Sequence, residues 1–364
     1  MIRILHIVTY MGRGGIETML MNYYRNIDRS KLQFDFLVHR DLEADYDKEI
    51  LEMGGKIYRL PTLNPISFKY ITQIKKFFRE HKEYKIVHSH IDCMSSVPLK
   101  YAKKNGVPIR IAHSHNNSNT MNLKYFLKLY FRSKLDKYVT DRFACSKEAG
   151  EFLHRSNSFH MLNNAIDTQK FLFIKDVRDE VRKEFGIKED TIIVGSVARF
   201  MEQKNHSFIV DIFAELLKQD DNAVLMLVGD GHLKNQIEEK CASLDIGNKV
   251  IFTGVRTDVQ RLLQAMDVNL FPSLFEGLPV SIIEAQAAGL PCLISNKVPI
   301  ECKKTNLVEQ MDLSYSAKQW ATKVIEMSKI ARRDTFEEIK EAGFDIGNNA
   351  IWLQHYYIEK YNSL

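Results

Sequence analysis

Two carboxylates, Glu276 and Glu284, stand with seven residues between them in the stretch PSLFEGLPVSIIEAQAAGLP, residues 272–291. The apolar run VNLF ahead of it reads as a strand, and the run after Pro279 as a helix with Glu284 in its first turns. A helix start that follows a strand end favours an anion, because its first N–H groups are unpaired and its dipole is positive there. Carboxylates at such a place cannot bind phosphate themselves. They can accept hydrogen bonds from hydroxyl groups on either side of it, and a nucleotide sugar offers such hydroxyls on its ribose and its hexose. A second segment, GSVARFMEQKNH (residues 195–206), places Arg199 and Lys204 after another strand end. Arginine presents a planar fork to phosphate oxygens and lysine a point charge, so the two could neutralise a diphosphate leaving group. The turns Gly229-Asp230-Gly231 and Thr253-Gly254-Val255 end further strands and would line the same crevice. The bland alternatives are dipole compensation for Glu284, surface charge for Arg199 and Lys204, and ordinary turns for the glycines.

Near the start of the chain, Gly14-Gly15 follows a strand and precedes a helix, where a Rossmann-type unit meets phosphate. Glycine there lets backbone approach without a Cβ in the way. Glu17 fits the same segment, or only caps the helix. Two His-x-His pairs, His88-Ser89-His90 and His113-Ser114-His115, end strands, and alternation puts both imidazoles of a pair on one face. The residues alone leave two readings: structural histidines satisfied near a sheet edge, or a metal site completed by Asp92.

These residues must be positioned by an alternation of short β-branched runs and longer helical patterns, which reads as α/β with parallel sheets. Strands are expected at Ile2–Val8, Phe34–Val38, Lys56–Leu60, Ile86–Ser89, Ile109–Ala112 and Arg142–Ala144, with helices over 15–27, 66–81, 94–105 and 121–137. A second set of strands is expected at Ile192–Ala198, Ala223–Val228, Val250–Thr253, Val268–Phe271 and Pro291–Ile294, with helices over 205–219, 232–243, 256–265 and 280–288. Each half therefore reads as its own doubly wound sheet. The charge-rich stretch 168–190 breaks the strand rhythm and marks the joint. The expected domains are 1–170 and 171–345, the first completed by a C-terminal helix over 346–364 that carries Trp352, Tyr356 and Tyr361. A chain of 364 residues is long enough for two cores.

Composition, 45% hydrophobic and 27% charged, is that of a globular protein. No apolar run approaches the roughly 20 residues that span a bilayer. The opening MIRILHIVTYMGRGG lacks a secretory signal's cleavage site, so a cytoplasmic location is expected. Five scattered cysteines fit reduced thiols better than a disulfide framework or a zinc site. The net charge of +5 is uneven: residues 66–140 hold fifteen Lys/Arg against four Asp/Glu, a local excess of +11. Within it, Lys124, Lys128 and Arg132 recur every fourth residue as a basic stripe, and Leu123, Leu127, Phe131 and Leu135 as an apolar one. Such a helix can lie on an anionic membrane surface or pack with a solvated basic face.

The Glu276–Glu284 spacing, the Arg199/Lys204 pair, the glycine loop and the strand order together resemble the retaining glycosyltransferases of glycosyltransferase family 4, over nearly the whole chain. The resemblance implies a GT-B fold, two Rossmann-like domains facing across a cleft with the C-terminal helix packed back on the first. It implies that Glu276 contacts the donor-sugar hydroxyls, Glu284 the ribose, and the backbone of Gly277 and Leu278 the sugar and diphosphate. It sets His115 beside the reacting sugar, with His113 as the close alternative, and gives Gly14, Gly15 and Glu17 as the family's glycine-rich segment. Many relatives read Glu-Gly-Phe-Gly-Leu-Pro where this chain reads Glu276-Gly277-Leu278-Pro279, so the second glycine of the loop is missing.

The expected chemistry is transfer of a hexosyl sugar from a nucleotide donor, UDP by family weight, to a lipid-linked or saccharide acceptor in surface polysaccharide or glycolipid synthesis. The leaving diphosphate would be stabilised by Arg199, Lys204, the helix start and the Gly14–Gly15 loop. Glu276 is not expected to be a covalent nucleophile. No Asp-x-Asp motif stands out, so no metal or other cofactor is required by this reading. A peripheral position on the inner face of the plasma membrane fits a lipid-linked acceptor. The rivals are a nucleotide-sugar 2-epimerase of similar fold, a metal hydrolase on the histidine pairs, and a nucleic-acid binder. The last is disfavoured because the aromatic residues fall in helices rather than on an exposed sheet.

Overall fold

The computed structural model describes residues 1–115, 125–155 and 158–364. The chain forms two compact units, Met1–Ile166 with Asp345–Leu364, and Asp167–Phe344.

The first unit holds β1 (Ile2–Val8), β2 (Leu32–Val38), β3 (Ile57–Arg59), β4 (Ile86–Ser89), β5 (Ile109–Ser114), β6 (Asp141–Ala144) and β7 (His160–Met161). They pair in parallel in the order β3-β2-β1-β4-β5-β6-β7. Parallel strands need crossovers, and the crossovers cover both faces, which is why these strands read as apolar runs rather than alternating ones. On one face Ile4, Phe34, Phe36, Ile86, Ile111 and Phe143 pack under the helices Gly15–Asn26 and Ile346–Asn362. On the other, Leu5, Ile7, Val87 and Ala112 pack under the helices Phe68–Glu80, Ser96–Lys104 and Tyr125–Leu135. The C-terminal helix is anchored at its start by Ile346 N–H donating to Ile166 O at 2.9 Å, and along its length by Gln354 Oε1 accepting from Asp28 N–H at 2.7 Å.

The second unit holds β8 (Ile192–Val197), β9 (Ala223–Val228), β10 (Val250–Gly254), β11 (Val268–Phe271), β12 (Cys292–Ser295) and β13 (Val308–Met311), all parallel, in the order β10-β9-β8-β11-β12-β13. Each sheet therefore reverses direction beside its first strand: at β1/β4 in one unit and at β8/β11 in the other. Ligands in open sheets of this kind bind outside the strand ends at that reversal.

Three features differ from the sequence reading. The charge-rich stretch taken as a joint contains a regular helix, Lys175–Glu184, which belongs to the second unit. It is fixed by Arg178 and Arg182, whose guanidinium groups lie 2.6 and 2.7 Å from the two oxygens of Asp267. β7 and β13 carry too few apolar residues to stand out as strands. Finally, in the helix Tyr125–Leu135 the basic stripe does not form an open face. Arg132 is half-buried with its guanidinium 4.7 Å over the Phe152 ring, and Lys128 is half-buried. Stacking and burial of the long stems against aromatic surface win over full solvation. The exposed large apolar side chains there are Phe126, Leu127 and Tyr130. Lys124 and Leu123 lie outside the described residues.

All five cysteines are buried free thiols. Among the described residues, no helix is long and apolar enough to cross a membrane.

Candidate active site

β8 and β11 are neighbours, so the loops after them meet. The turn Glu202–Lys204 is stitched to the loop after β11 by four contacts. Leu274 N–H donates to Gln203 O at 2.8 Å, and Gln203 Nε2 donates to Phe275 O at 2.9 Å. Asn205 Nδ2 donates to Pro272 O at 3.1 Å, and Lys204 Nζ donates to Glu276 Oε1 at 2.6 Å. The two segments singled out in the sequence are thus one structure. Gln203 and Asn205, which carry no chemical signature in the sequence, hold it together. Asn205 sits in the left-handed region at φ 55, which asparagine tolerates, and caps the helix His206–Leu217.

The Glu276 side chain is only 7% exposed and that of Lys204 18%. The ammonium also lies 4.8 Å over the Phe271 ring, so it is held by a carboxylate and an aromatic face together. The pairing offsets the carboxylate's charge within the loop.

Pro279 forms the N-cap of the helix Val280–Ala287, and Glu284 occupies its second turn. Burial pushes the Glu284 carboxyl up to about 7, well above the usual glutamate range. Dipole compensation alone would leave a solvated acid in the first turn; Glu284 is half-buried and further along.

The loop carrying Arg199 crosses directly over the turn after β9. Phe200 N–H donates to Asp230 O at 3.0 Å, and a Cβ at Gly229 would lie 2.2 Å from Ala198 O. Gly229 also has φ 136, and its N–H donates to Gly254 O at 2.9 Å. Gly229 therefore serves the close packing of the strand-end loops, whereas Gly254 supplies the left-handed backbone of its turn at φ 69 with open space around it. Arg199 itself is exposed. Gly277 and Leu278 are half-buried in the loop ahead of the helix.

In the first unit, Gly14 is the N-cap of the helix Gly15–Asn26 and Glu17 lies in its first turn. A Cβ on Gly14 would meet Glu17 Oε2 at 2.2 Å, while Gly15 faces open space. Glu17 therefore folds back over the helix start, as a first-turn acid does.

The histidine pairs do share a face, and they are central in the sheet rather than near its edge. His6, invisible as a partner in the sequence, joins them because β1 pairs with β4 in a register that sets His6 against His88. His6 Nδ1 and His90 Nε2 are 3.0 Å apart, as are His90 Nδ1 and His115 Nε2. The rings stack, His88 on His90 at 4.3 Å and His113 on His115 at 4.1 Å between centroids. His88 Nδ1 lies 2.6 Å from the Tyr357 hydroxyl of the C-terminal helix. The histidines are not satisfied: among the described residues, His6 Nε2, His88 Nε2, both nitrogens of His113 and His115 Nδ1 are buried without a hydrogen-bond partner. Burial lowers the His6 and His115 imidazoles to about 3 and keeps the others well below the ordinary range, so all five rings are neutral. The Asp92 side chain meets the backbone of the row: its Oδ1 accepts the His115 N–H at 3.0 Å. His115 is the half-buried member of the row and His113 is fully buried. Of the two, His115 is the one a small molecule could reach.

Residues 13–170 match the family model described as Glycosyltransferase Family 4, and residues 177–305 the one described as Glycosyl transferases group 1. The chain is 37% identical over 360 residues to the putative glycosyltransferase EpsF of Bacillus subtilis, spanning 96% of this chain and 93% of that one. This chain belongs to glycosyltransferase family 4. A second relative of this glycosyltransferase is the capsular polysaccharide biosynthesis glycosyltransferase CapH of Staphylococcus aureus, 25% identical over 99% of both chains. In fold, the enzyme is similar to Anabaena Alr3699/HepE, whose structure was solved with UDP and glucose, at a TM-score of 0.75 and 15% identity over the whole of both chains. Its two parallel-sheet units are those of the GT-B architecture that the sequence resemblance implied.

Proposed function

We propose that this glycosyltransferase moves a hexosyl unit from a UDP-sugar to an acceptor hydroxyl, with retention of anomeric configuration and without a divalent ion at the donor, in the synthesis of a surface polysaccharide or glycolipid. The observation that carries this reading is the Lys204–Glu276 pair at the β8/β11 reversal, followed by Glu284 in the next helix. Lys204, Arg199 and the start of the helix Val280–Ala287 would take the negative charge that develops on the leaving diphosphate. Glu276 would accept from donor-sugar hydroxyls and Glu284 from the ribose. The C1–O bond to phosphate breaks, the acceptor oxygen bonds to C1 on the face the diphosphate leaves, and the acceptor's hydroxyl proton passes to an oxygen of the departing diphosphate. His115 is assigned to the reaction centre as a neutral hydrogen-bonding group. The bound UDP and glucose of the HepE structure support the donor class, and the capsular polysaccharide biosynthesis role of CapH supports the product class. Family membership does not favour the 2-epimerase or nucleic-acid readings.

A lipid-linked acceptor on an anionic membrane belongs to the same proposal. It is supported by the +11 excess over residues 66–140 and by exposed Phe126, Leu127 and Tyr130 within it.

The test is thermal stabilisation by UDP, GDP, ADP and CMP, with and without EDTA, in wild type and Glu284→Ala. A ligand that binds only the folded state raises its melting temperature by mass action. A UDP-selective, EDTA-insensitive shift that weakens in Glu284→Ala is expected. No shift with any nucleotide at millimolar concentration would overturn the donor site.

A further inference from the structure

The row of neutral histidines in the first unit is more than the family's single reacting histidine calls for. Three of its members, His6, His88 and His90, each offer a ring nitrogen within 4.8 Å of the other two. Each is at most 2% exposed. His6 Nδ1 and His90 Nε2 face one another at 3.0 Å, and His88 Nε2 is buried with no hydrogen-bond partner among the described residues. Two nitrogens bound tetrahedrally to zinc at about 2.0–2.1 Å sit roughly 3.4 Å apart, so the His6–His90 spacing needs to open by only a few tenths of an ångström.

The outer nitrogens of two of these rings are already engaged. His88 Nδ1 is 2.6 Å from the Tyr357 hydroxyl, and His90 Nδ1 is 3.0 Å from His115 Nε2. A metal-bound imidazole donates its remaining N–H to a fixed partner, which sets its tautomer and orientation. Tyr357 and His115 stand where such partners are needed. Imidazole nitrogens without oxygen ligands suit zinc, cobalt, nickel or copper and do not suit magnesium or calcium.

We propose that His6, His88 and His90 form a divalent transition-metal site, of the zinc or cobalt class, that ties β1 to β4 and through Tyr357 to the C-terminal helix. The site is structural and is built wholly from residues of the first unit, so it does not rest on which residues of the second unit bind the donor. Because its ligands are buried, the ion enters as the chain folds and leaves only when the chain opens. Its presence fixes the His90 proton on Nδ1, which in turn makes His115 Nε2 an acceptor and leaves the His115 proton on Nδ1.

The experiment uses the full chain without a polyhistidine tag, unfolded in urea with chelator and refolded with zinc or cobalt. Bound metal is measured by mass spectrometry after gel filtration. About one ion per chain is expected, cobalt giving visible bands of a low-coordinate site and magnesium or calcium giving none. EDTA should strip the folded protein slowly and the urea-unfolded protein at once. His88→Gln should lose the ion. Tyr357→Phe, which preserves the ring and the packing, should weaken affinity ~10–100-fold. A refolded chain with native circular dichroism and a cooperative melt but no bound ion would overturn the proposal. So would wild-type affinity in His88→Gln or, should that variant not fold, in Tyr357→Phe.

Discussion

Lys204 and Glu276, seventy-two residues apart in sequence, meet at 2.6 Å where the second sheet reverses direction. The pair depends on neither residue's local helix or strand. It exists because β8 and β11 are adjacent and their loops are cross-linked through Gln203 and Asn205. One contact therefore reports both on the assembly of these two loops and on their charge.

Removing one member should show both roles. Lys204→Met leaves the Glu276 carboxylate, only 7% exposed, without its cation. Breaking a buried pair costs ~3–5 kcal/mol, and the partial exposure of the lysine reduces this to about 1–3 kcal/mol. Urea unfolding should register that loss, and calorimetry should register weaker UDP binding. Glu276→Gln should cost less stability, since a lone lysine can reach water. Equal stability of Lys204→Met and wild type would mean the pair is not formed in solution.

The buried carboxyl of Glu284 makes stability depend on pH. Its folded-state value of about 7 lies above the unfolded value near 4.5. Between those limits the folded state holds a proton that the unfolded state releases, so stability falls as pH rises and the full penalty is present above 7. One unit is worth about 1.4 kcal/mol, so the penalty is at most about 3 kcal/mol. Glu284→Gln should therefore gain on wild type at pH 8 and lose that gain near pH 4.5. If the carboxylate accepts from ribose hydroxyls, UDP should bind more tightly as pH rises through 7. Calorimetry in two buffers of different ionisation enthalpy should then detect proton release on binding.

The sequence was most informative where one strand or one loop carried the signal. β1, β4, β9 and β11 have the bounds their apolar runs suggest, because a strand buried on both faces has few other sequences open to it. The Glu276–Glu284 loop was legible for the same local reason. What depended on register was not legible. His6 sits in an apolar strand, and nothing in its spacing foretells a place beside His88; only β1/β4 pairing does. The helix Lys175–Glu184 was hidden by its own charges, since the arginines that read as solvent-facing are the ones buried on Asp267. The helix Ala317–Met327 did leave a signal, the capping box of Ser316 and Gln319, which an apolar-period reading passes over.

Two glycines at neighbouring strand ends should respond differently to alanine. At Gly229 a Cβ would sit 2.2 Å from the Ala198 carbonyl, with φ at 136. Backbone must move, and the backbone that moves carries Arg199. At Gly254 φ is 69 but nothing lies within 4 Å of the added carbon. Gly254→Ala should cost about 1–2 kcal/mol, the ordinary left-handed penalty. Gly229→Ala should cost more than that and also weaken UDP binding. Equal melting temperatures for the two variants would show that the β8 loop yields without cost.

Asp267 provides the sharpest stability test in the second unit. Its Oδ1 takes Arg178 at 2.6 Å, and its Oδ2 takes both Arg182 at 2.7 Å and the Ile193 backbone N–H at 2.7 Å. The Arg182 side chain is 3% exposed and otherwise donates to carbonyls of residues 188, 189, 191 and 265. Those neutral acceptors satisfy its N–H groups and leave its charge uncompensated. Asp267→Asn removes the one carboxylate that both arginines touch, and a buried charge stripped of its partner costs ~3–5 kcal/mol. Asn cannot accept at both oxygens, so the Ile193 bond or one arginine contact is lost as well. The double variant Asp267→Asn with Arg182→Met should recover part of the loss, because the uncompensated cation is then gone. Urea unfolding of the single and double variants reads this directly. A double variant less stable than Asp267→Asn alone would mean that the carbonyl contacts of Arg182, not its charge pair, hold the helix Lys175–Glu184 to the sheet.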